Sequence, residues 1–333
     1  MQARVLITRA LPESALALLR EACEVQYDAS DQALTPAALR QAVVGKEGLL
    51  CLVTDRIDAA VLEAGTALKV VSTVAVGYDN IDVSAATQRG IVVTNTPGVV
   101  TESTADLTWA LLCSVARRIA EGDRYIRAGK WRSWHLLLMA GTDIHGKTLG
   151  IFGMGRIGQA VARRARGFNM RVLYHNRQPL DTALETELNA TWVEKQALLQ
   201  QADYLSVHVP LSQATTHLIG PDELRLMRPT AYLINAARGP VVDEAALIQA
   251  LQQGWIAGAA LDVFEDEPQV PQALLEMENV VMVPHIGSAS VATRTRMAVM
   301  AAENLLAVLN HTPTPHMVNP EALARRAAAR SSC

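Results

Sequence analysis

The sequence predicts an α/β protein of two doubly wound parallel-sheet domains, one inserted into the other. Three observations carry that expectation. With 333 residues the chain has the length of two domains of about 100–200 residues each. Short β-branched runs alternate with helical stretches along nearly its whole length. A glycine-rich turn at 153–158 joins an apolar strand to a helix. The 33 acidic and 30 basic residues, net charge −3, describe an ordinary globular chain with no electrostatic footprint for nucleic acid.

In the first hundred residues the expected strands are 5–7, 25–27, 49–53, 69–74 and 91–93, with helices over 13–22, 36–44, 59–62 and 82–89. One long helix is expected from Glu102 to about residue 128, capped by Thr101. A second βα series then supplies six strands, 148–152, 171–174, 204–208, 231–234, 257–261 and 280–283, the number in a complete doubly wound nucleotide sheet. Another long helix covers 290–310. Two long helices flanking the six-strand unit imply insertion, with an outer domain of 1–99 plus 288–333 and an inner domain of 100–287. The last dozen residues, with Arg325, Arg326 and Arg330, read as a solvated tail.

Cys23, Cys51, Cys113 and Cys333 show neither CxxC nor Cys/His spacing, and His135, His145, His217, His311 and His316 lack ligand spacing. Reduced thiols and no metal site are expected. The start of the chain is too poor in apolar residues for a signal-peptide core, and no apolar run reaches about 18 residues. A cytoplasmic protein that neither enters a membrane nor is secreted is the expectation.

Gly153-Met154-Gly155-Arg156-Ile157-Gly158 closes the apolar strand 149–152 and opens a helical stretch at 159–166. Gly153 permits the tight turn, Gly155 lets the backbone approach a pyrophosphate, and Gly158 lets helix pack on strand. The helix N-terminus, including Arg156 and Ile157, then attracts the phosphates. The second strand of this unit ends at His175-Asn176-Arg177, where an NAD enzyme carries an acidic residue about 20 positions into the motif. No carboxylate occurs here before Asp181. Arg177 is suited to a 2′-phosphate, with Asn176 and His175 as neighbours, which favours NADPH over NADH; the competing reading is a solvated loop charge.

Ligands of doubly wound sheets bind beyond the carboxyl ends of the strands. Arg238 follows the fourth strand of the unit, Asp262 ends the fifth and His285 follows the sixth, so all three converge on the rim beside the glycine turn, and Glu267 reaches it on a loop. These types suit hydride transfer to a 2-keto acid. Reduction puts negative charge on the carbonyl oxygen, so a proton donor is needed, and histidine is the side chain most easily tuned near neutrality. Glu267 would orient the ring and favour the imidazolium. Arg238 offers a planar cationic fork to the substrate carboxylate and polarises the carbonyl. Ala236 and Gly287, in the same rim segments, join His285 as expected cofactor contacts.

These segments, with Val76-Gly77-Tyr78-Asp79-Asn80-Ile81-Asp82 and Ala260-Leu261-Asp262-Val263-Phe264, resemble the D-isomer-specific 2-hydroxyacid dehydrogenase family over the chain to about Pro320. The resemblance implies a Rossmann nucleotide domain inserted into a flavodoxin-like substrate domain, a cleft that closes between them, and a homodimer built largely through the nucleotide domains. It implies catalytic roles for Arg238, Glu267 and His285, and substrate-carboxylate binding by the backbone of Val76 and Gly77. Asp262 would hold the nicotinamide carboxamide, while Thr104, Val209 and Pro210 would line the cofactor; Asp79 and Asn80 are taken as turn residues.

Within the family the chain is most similar to glyoxylate/hydroxypyruvate reductases, with 2-ketogluconate reductases next. Phosphite dehydrogenases carry a lysine where Val76 stands. Dinucleotide-sensing corepressors of the C-terminal-binding-protein type form a competing class, with nothing specific here in their favour. Trp131, Trp134 and the apolar run 136–139 read as interface or core residues, with closure of a neighbouring subunit's pocket as the alternative.

Overall fold

The computed structural model describes residues 2–331. The chain forms two compact units, Met1–Val100 with Ala289–Cys333 and Thr101–Ser288.

The outer unit holds five strands, β1 (Ala3–Ile7), β2 (Cys23–Tyr27), β3 (Gly48–Cys51), β4 (Val70–Thr73) and β5 (Val92–Thr94). They form one parallel sheet in the order β2-β1-β3-β4-β5, the flavodoxin-like arrangement. Side chains alternate between two faces along each strand. Val5, Ile7, Leu50, Val70 and Val92 pack beneath helices Glu13–Ala22 and Val291–Leu309, while Leu6, Leu49, Val71 and Val93 meet the helices that carry Leu39, Val61, Leu62 and Ala86. Burial on both faces explains why β3, β4 and β5 are so poor in charged residues, whereas the edge strand β2 exposes Glu24 and Gln26. Thr35, Asp58, Asp82 and Ser290 cap their helices by accepting a backbone N–H three residues on.

The inner unit has seven strands where the sequence led us to expect six. They are β6 (Thr148–Phe152), β7 (Arg171–His175), β8 (Ala190–Trp192), β9 (Tyr204–Val207), β10 (Tyr232–Asn235), β11 (Gly258–Leu261) and β12 (Val280–Met282), all parallel in the order β12-β11-β10-β9-β6-β7-β8. The additional strand is β8, a three-residue edge strand beside β7. Counted within the unit, the order is the Rossmann order 3-2-1-4-5-6 extended by a seventh strand, and the direction of winding reverses between β6 and β9.

Two further expectations are corrected. The helix after Thr101 is not continuous: Thr101–Ala116 is followed by a break and by Ile119–Arg127, and Thr101 lies inside the helix instead of capping it. The break has a non-local cause. The returning chain takes the Ala116 carbonyl through Thr142 N–H at 2.8 Å, while Arg118, at φ 53°, grips Glu121 with Nε and Nη2 at 2.7 and 2.6 Å. The expected solvated tail is a helix, Ala322–Ser331. Ala322 is fully buried, and the Arg326 guanidinium donates to the carbonyls of Gly90 and Lys69. The Arg330 side chain and Cys333 lie outside the described residues.

No helix among the described residues is long and apolar enough to cross a membrane.

Candidate active site

The glycine turn sits at the carboxyl end of β6. Gly153 has φ 97° and packs against the chain just beyond β9, since a Cβ there would lie 2.8 Å from the His208 carbonyl carbon and Val209 N; one on Gly158 would fall 2.3 Å from the Gly153 carbonyl oxygen. Both positions therefore require glycine. A Cβ on Gly155 would meet nothing within 4 Å, so the space before the helix is open. The helix itself begins at Arg156, three residues earlier than expected, and runs to Ala165. Gly155, Arg156, Ile157 and Gly158 thus lie at its N-terminal end, where backbone N–H groups have no intrahelical partner. An open cradle of this kind fits a dinucleotide pyrophosphate.

At the end of β7 the Asn176 side-chain oxygen accepts Met154 N–H at 2.7 Å, tying the second strand to the glycine turn. His175 Nδ1 donates to the Val193 carbonyl at 2.9 Å, which withdraws that nitrogen from any ligand. Arg177 is exposed. Asp181, the first carboxylate after the strand, caps the next helix by accepting Leu184 N–H at 2.9 Å.

Three adjacent strands supply the charged groups. Beyond β12, His285 adopts φ 50°, held by its N–H to the Asp262 carbonyl at 2.9 Å. Its Nδ1 lies 2.8 Å from Glu267 Oε2, with each side chain about a third exposed (31% and 33%). The other Glu267 oxygen accepts Phe264 N–H at 3.1 Å. Burial pushes the Glu267 carboxyl up, but the hydrogen bond and charge of His285, the Phe264 N–H and the charge of Arg238 outweigh it. The net effect holds Glu267 below the usual carboxylate range.

Asp262 is 1% exposed. Its two oxygens accept Ile286 N–H at 2.6 Å and Gly287 N–H at 2.8 Å, so it clamps the turn that presents His285. Burial pushes its carboxyl up, against those N–H groups and the charge of His285. Thr104 is buried and packs against Gly287, and Val209 packs on the core beneath β9. Pro210 is exposed, and its carbonyl accepts the Thr215 hydroxyl at 2.6 Å.

Two positioning residues escaped the sequence reading. Asn235, at the end of β10, accepts Ala237 N–H at 3.1 Å and donates to the Arg238 carbonyl at 3.0 Å, folding the turn that carries Arg238 and Ala236. A Cβ on Gly239 would collide with the Phe264 carbonyl at 1.8 Å, so only glycine lets that turn press against the Glu267 loop. The motif Asn-Ala-Ala-Arg-Gly was visible; the contact across 25 residues of chain was not.

Val76 and Gly77 belong to the outer unit, after β4, where both are half-buried. Asn95 Nδ2 donates to the Val76 carbonyl at 2.8 Å. Asn80 bridges the Leu52 and Asp55 carbonyls at 3.1 and 2.7 Å, as a turn residue should. Among the described residues no cluster of three metal-ligating side chains occurs.

Residues 109–287 match the family described as D-isomer specific 2-hydroxyacid dehydrogenase, NAD binding domain. The chain is 50% identical to the glyoxylate reductase of Korarchaeum cryptofilum over 96% of its length and 97% of that protein. The chain belongs to the D-isomer specific 2-hydroxyacid dehydrogenase family. It is also 47% identical to the glyoxylate reductase of Thermococcus litoralis, covering 97% of this chain and 98% of that one. Among solved structures it resembles an NADPH-dependent glyoxylate/hydroxypyruvate reductase from Sinorhizobium meliloti in complex with NADP and malonate, at 37% identity and TM-score 0.84 over 97% of this chain and 98% of that one. This D-2-hydroxyacid dehydrogenase is therefore an oxidoreductase that works on 2-keto acids with a nicotinamide dinucleotide, and the inner unit is its NAD-binding domain.

Proposed function

We propose that this dehydrogenase reduces small 2-keto acids, glyoxylate and hydroxypyruvate, to D-2-hydroxy acids with NADPH, and that His285 donates the proton. The observation that carries this reading is the 2.8 Å pair between His285 Nδ1 and Glu267. A carboxylate can only accept there, so Nδ1 holds a proton, and protonated His285 presents its second proton on Nε2. Glu267 steadies the ring. Arg238 binds the substrate carboxylate and draws electron density toward the carbonyl oxygen as charge develops there. Val76 and Gly77 add backbone N–H groups to that carboxylate. The reduced nicotinamide, when bound, supplies the hydride.

The glycine turn, Thr104, Val209, Pro210, Ala236, Asp262 and Gly287 would hold the dinucleotide. Support for NADPH comes from exposed Arg177 and from Asp181, which is engaged as a helix cap. Arg177→Ala should raise the NADPH KM about tenfold while leaving the NADH KM nearly unchanged; equal changes would overturn the 2′-phosphate contact.

An initial-rate panel tests the whole reading: NADPH and NADH, each with glyoxylate, hydroxypyruvate, pyruvate and 2-ketogluconate. Fast NADPH oxidation with the two small acids is expected. Dominant turnover of 2-ketogluconate would move the assignment to that reductase branch, and cofactor binding without turnover would favour a dinucleotide sensor.

We also propose a homodimer. Trp131, Trp134, Leu136 and Leu137 are 55–79% exposed, which excludes them from the core and supports an interface. Light scattering of wild type against Trp134→Glu with Leu137→Glu checks this, the variant being expected to run as a monomer.

A further inference from the structure

We infer that His217 is a positioning residue that ties the turn carrying Arg238 to the loop carrying Glu267, through its hydrogen bond to Glu265. The inference rests on the reading of Glu267 and His285 as the proton-donating pair.

His217 has φ 50°, a conformation few non-glycine residues adopt, and it is anchored on two sides. Its backbone N–H donates to the Pro240 carbonyl at 2.8 Å, two residues beyond Arg238. Ile219 N–H then donates to Val241 at 3.2 Å and Asp243 N–H to Ile219 at 3.0 Å. The stretch 217–219 therefore runs alongside the chain as it leaves Arg238.

From the same residue the ring reaches the other loop. Nε2 lies 2.7 Å from Glu265 Oε1, two residues before Glu267, and Nδ1 lies 3.9 Å from Asp243 Oδ2. Glu265 is further held by Glu244, each backbone N–H donating to the other's carboxylate at 3.3 Å. The loop is thus gripped from both ends by a histidine with positive φ, His285 on Glu267 and His217 on Glu265.

The two grips differ in what they could do. His285 stands at the rim among the groups that serve substrate and cofactor. Among the described residues His217 pairs with Glu265 and lies near Asp243, with Glu244 behind them, so its effect on the reaction passes through the loop. Glu267 must hold its distance to His285 for the ring to keep its orientation, and small displacements of such a partner lower rates out of proportion to the energy of the bond that prevents them.

The test uses the full-length enzyme with glyoxylate and NADPH, comparing His217→Ala, Glu265→Ala, the double variant, His217→Gln and, in parallel, Glu267→Gln. We expect His217→Ala and Glu265→Ala each to lower kcat about three- to tenfold with the NADPH KM unchanged. The double variant should be no worse than either single one. Glu267→Gln should lower kcat at least as far as either alanine variant, again with the NADPH KM unchanged. His217→Gln can still donate an amide N–H to Glu265 and should recover most of kcat.

Wild-type kcat in both alanine variants would overturn the inference, as would a loss that His217→Gln does not recover. Should His217→Ala fail to fold, Glu265→Ala and His217→Gln decide. An undiminished kcat in Glu267→Gln would instead overturn the proton-donor reading, while the loss of kcat and its recovery in His217→Gln still decide for or against the tie.

Discussion

The carboxyl edge of the seven-stranded sheet is built in two ways. On the β6 and β7 side the cradle is backbone: Gly153, Gly155 and Gly158, a helix N-terminus, and a neutral amide, Asn176, bonded to Met154 N–H. On the β10 to β12 side it is charged side chains, each with a second partner: Glu267 on Phe264 N–H, Asp262 on Ile286 and Gly287, and His285 on Glu267. A polyanion of fixed charge can be held by groups whose state never changes with pH, and peptide N–H groups serve that purpose. Proton transfer needs groups that do change, and those must be kept from drifting in position and charge by their neighbours.

If that division of labour is real, damage to one side should spare the other. His285→Ala should lower kcat about 10²–10⁴-fold while a fluorescence titration finds NADPH affinity nearly unchanged; a joint loss would break the comparison. The converse is Gly158→Ala, which forces a Cβ to within 2.3 Å of the Gly153 carbonyl oxygen. It should weaken NADPH binding by about tenfold or more and cost about 1–3 kcal/mol of stability in urea unfolding, with kcat at saturating cofactor much less affected.

A finer test is Glu267→Gln. Removing the carboxylate takes away the acceptor that fixes the His285 ring through Nδ1, so kcat should fall about tenfold, without a matching change in NADPH affinity.

The smallest effect concerns the junction between the two sides. His208 follows β9, its Nε2 lies 2.8 Å from Ser206 Oγ, and burial pushes it down to about 4. A histidine lowered in this way binds its proton more readily when unfolded. It contributes stability that is present above about pH 6.5 and is lost as pH falls toward 4. Unfolding of wild type and His208→Gln at pH 7 and pH 5 should differ in their pH dependence by about 1–2 kcal/mol, the variant being the flatter. An equally steep decline would show that His208 is already charged in the native protein.

Much of this edge was legible in the sequence because its signals are local. The glycine spacing, the capping residues and the apolar runs of buried strands each declare themselves within a few positions. Arg238, Asp262 and His285 could be brought together because parallel strands put their carboxyl ends on one rim. What could not be read depends on distant parts of the chain. Strand β8 is only Ala-Thr-Trp at a sheet edge, too short for periodicity to mark. The break after Ala116 is made by Thr142, and a long Ala- and Leu-rich stretch shows no sign of it. Gly239 looks like an ordinary turn glycine until the Phe264 carbonyl is seen against it. His217 and Glu265 lie 48 residues apart, and nothing in either neighbourhood announces the other.

The stitching of the outer sheet bears on the order in which a ribosome could release a finished fold. Val93 N–H donates to the Asn319 side chain, Val318 N–H donates to the Val93 carbonyl, and Ser72 donates to the Ala301 carbonyl. Helix Val291–Leu309 covers the face formed by Val5, Leu50 and Val70. During synthesis the first hundred residues therefore emerge with one apolar face covered only in part, by helix Glu13–Ala22, and they wait for nearly two hundred more before helix Val291–Leu309 arrives. The inner unit, continuous in sequence, can close on itself in that interval. The final helices act as the latch that ends that exposure.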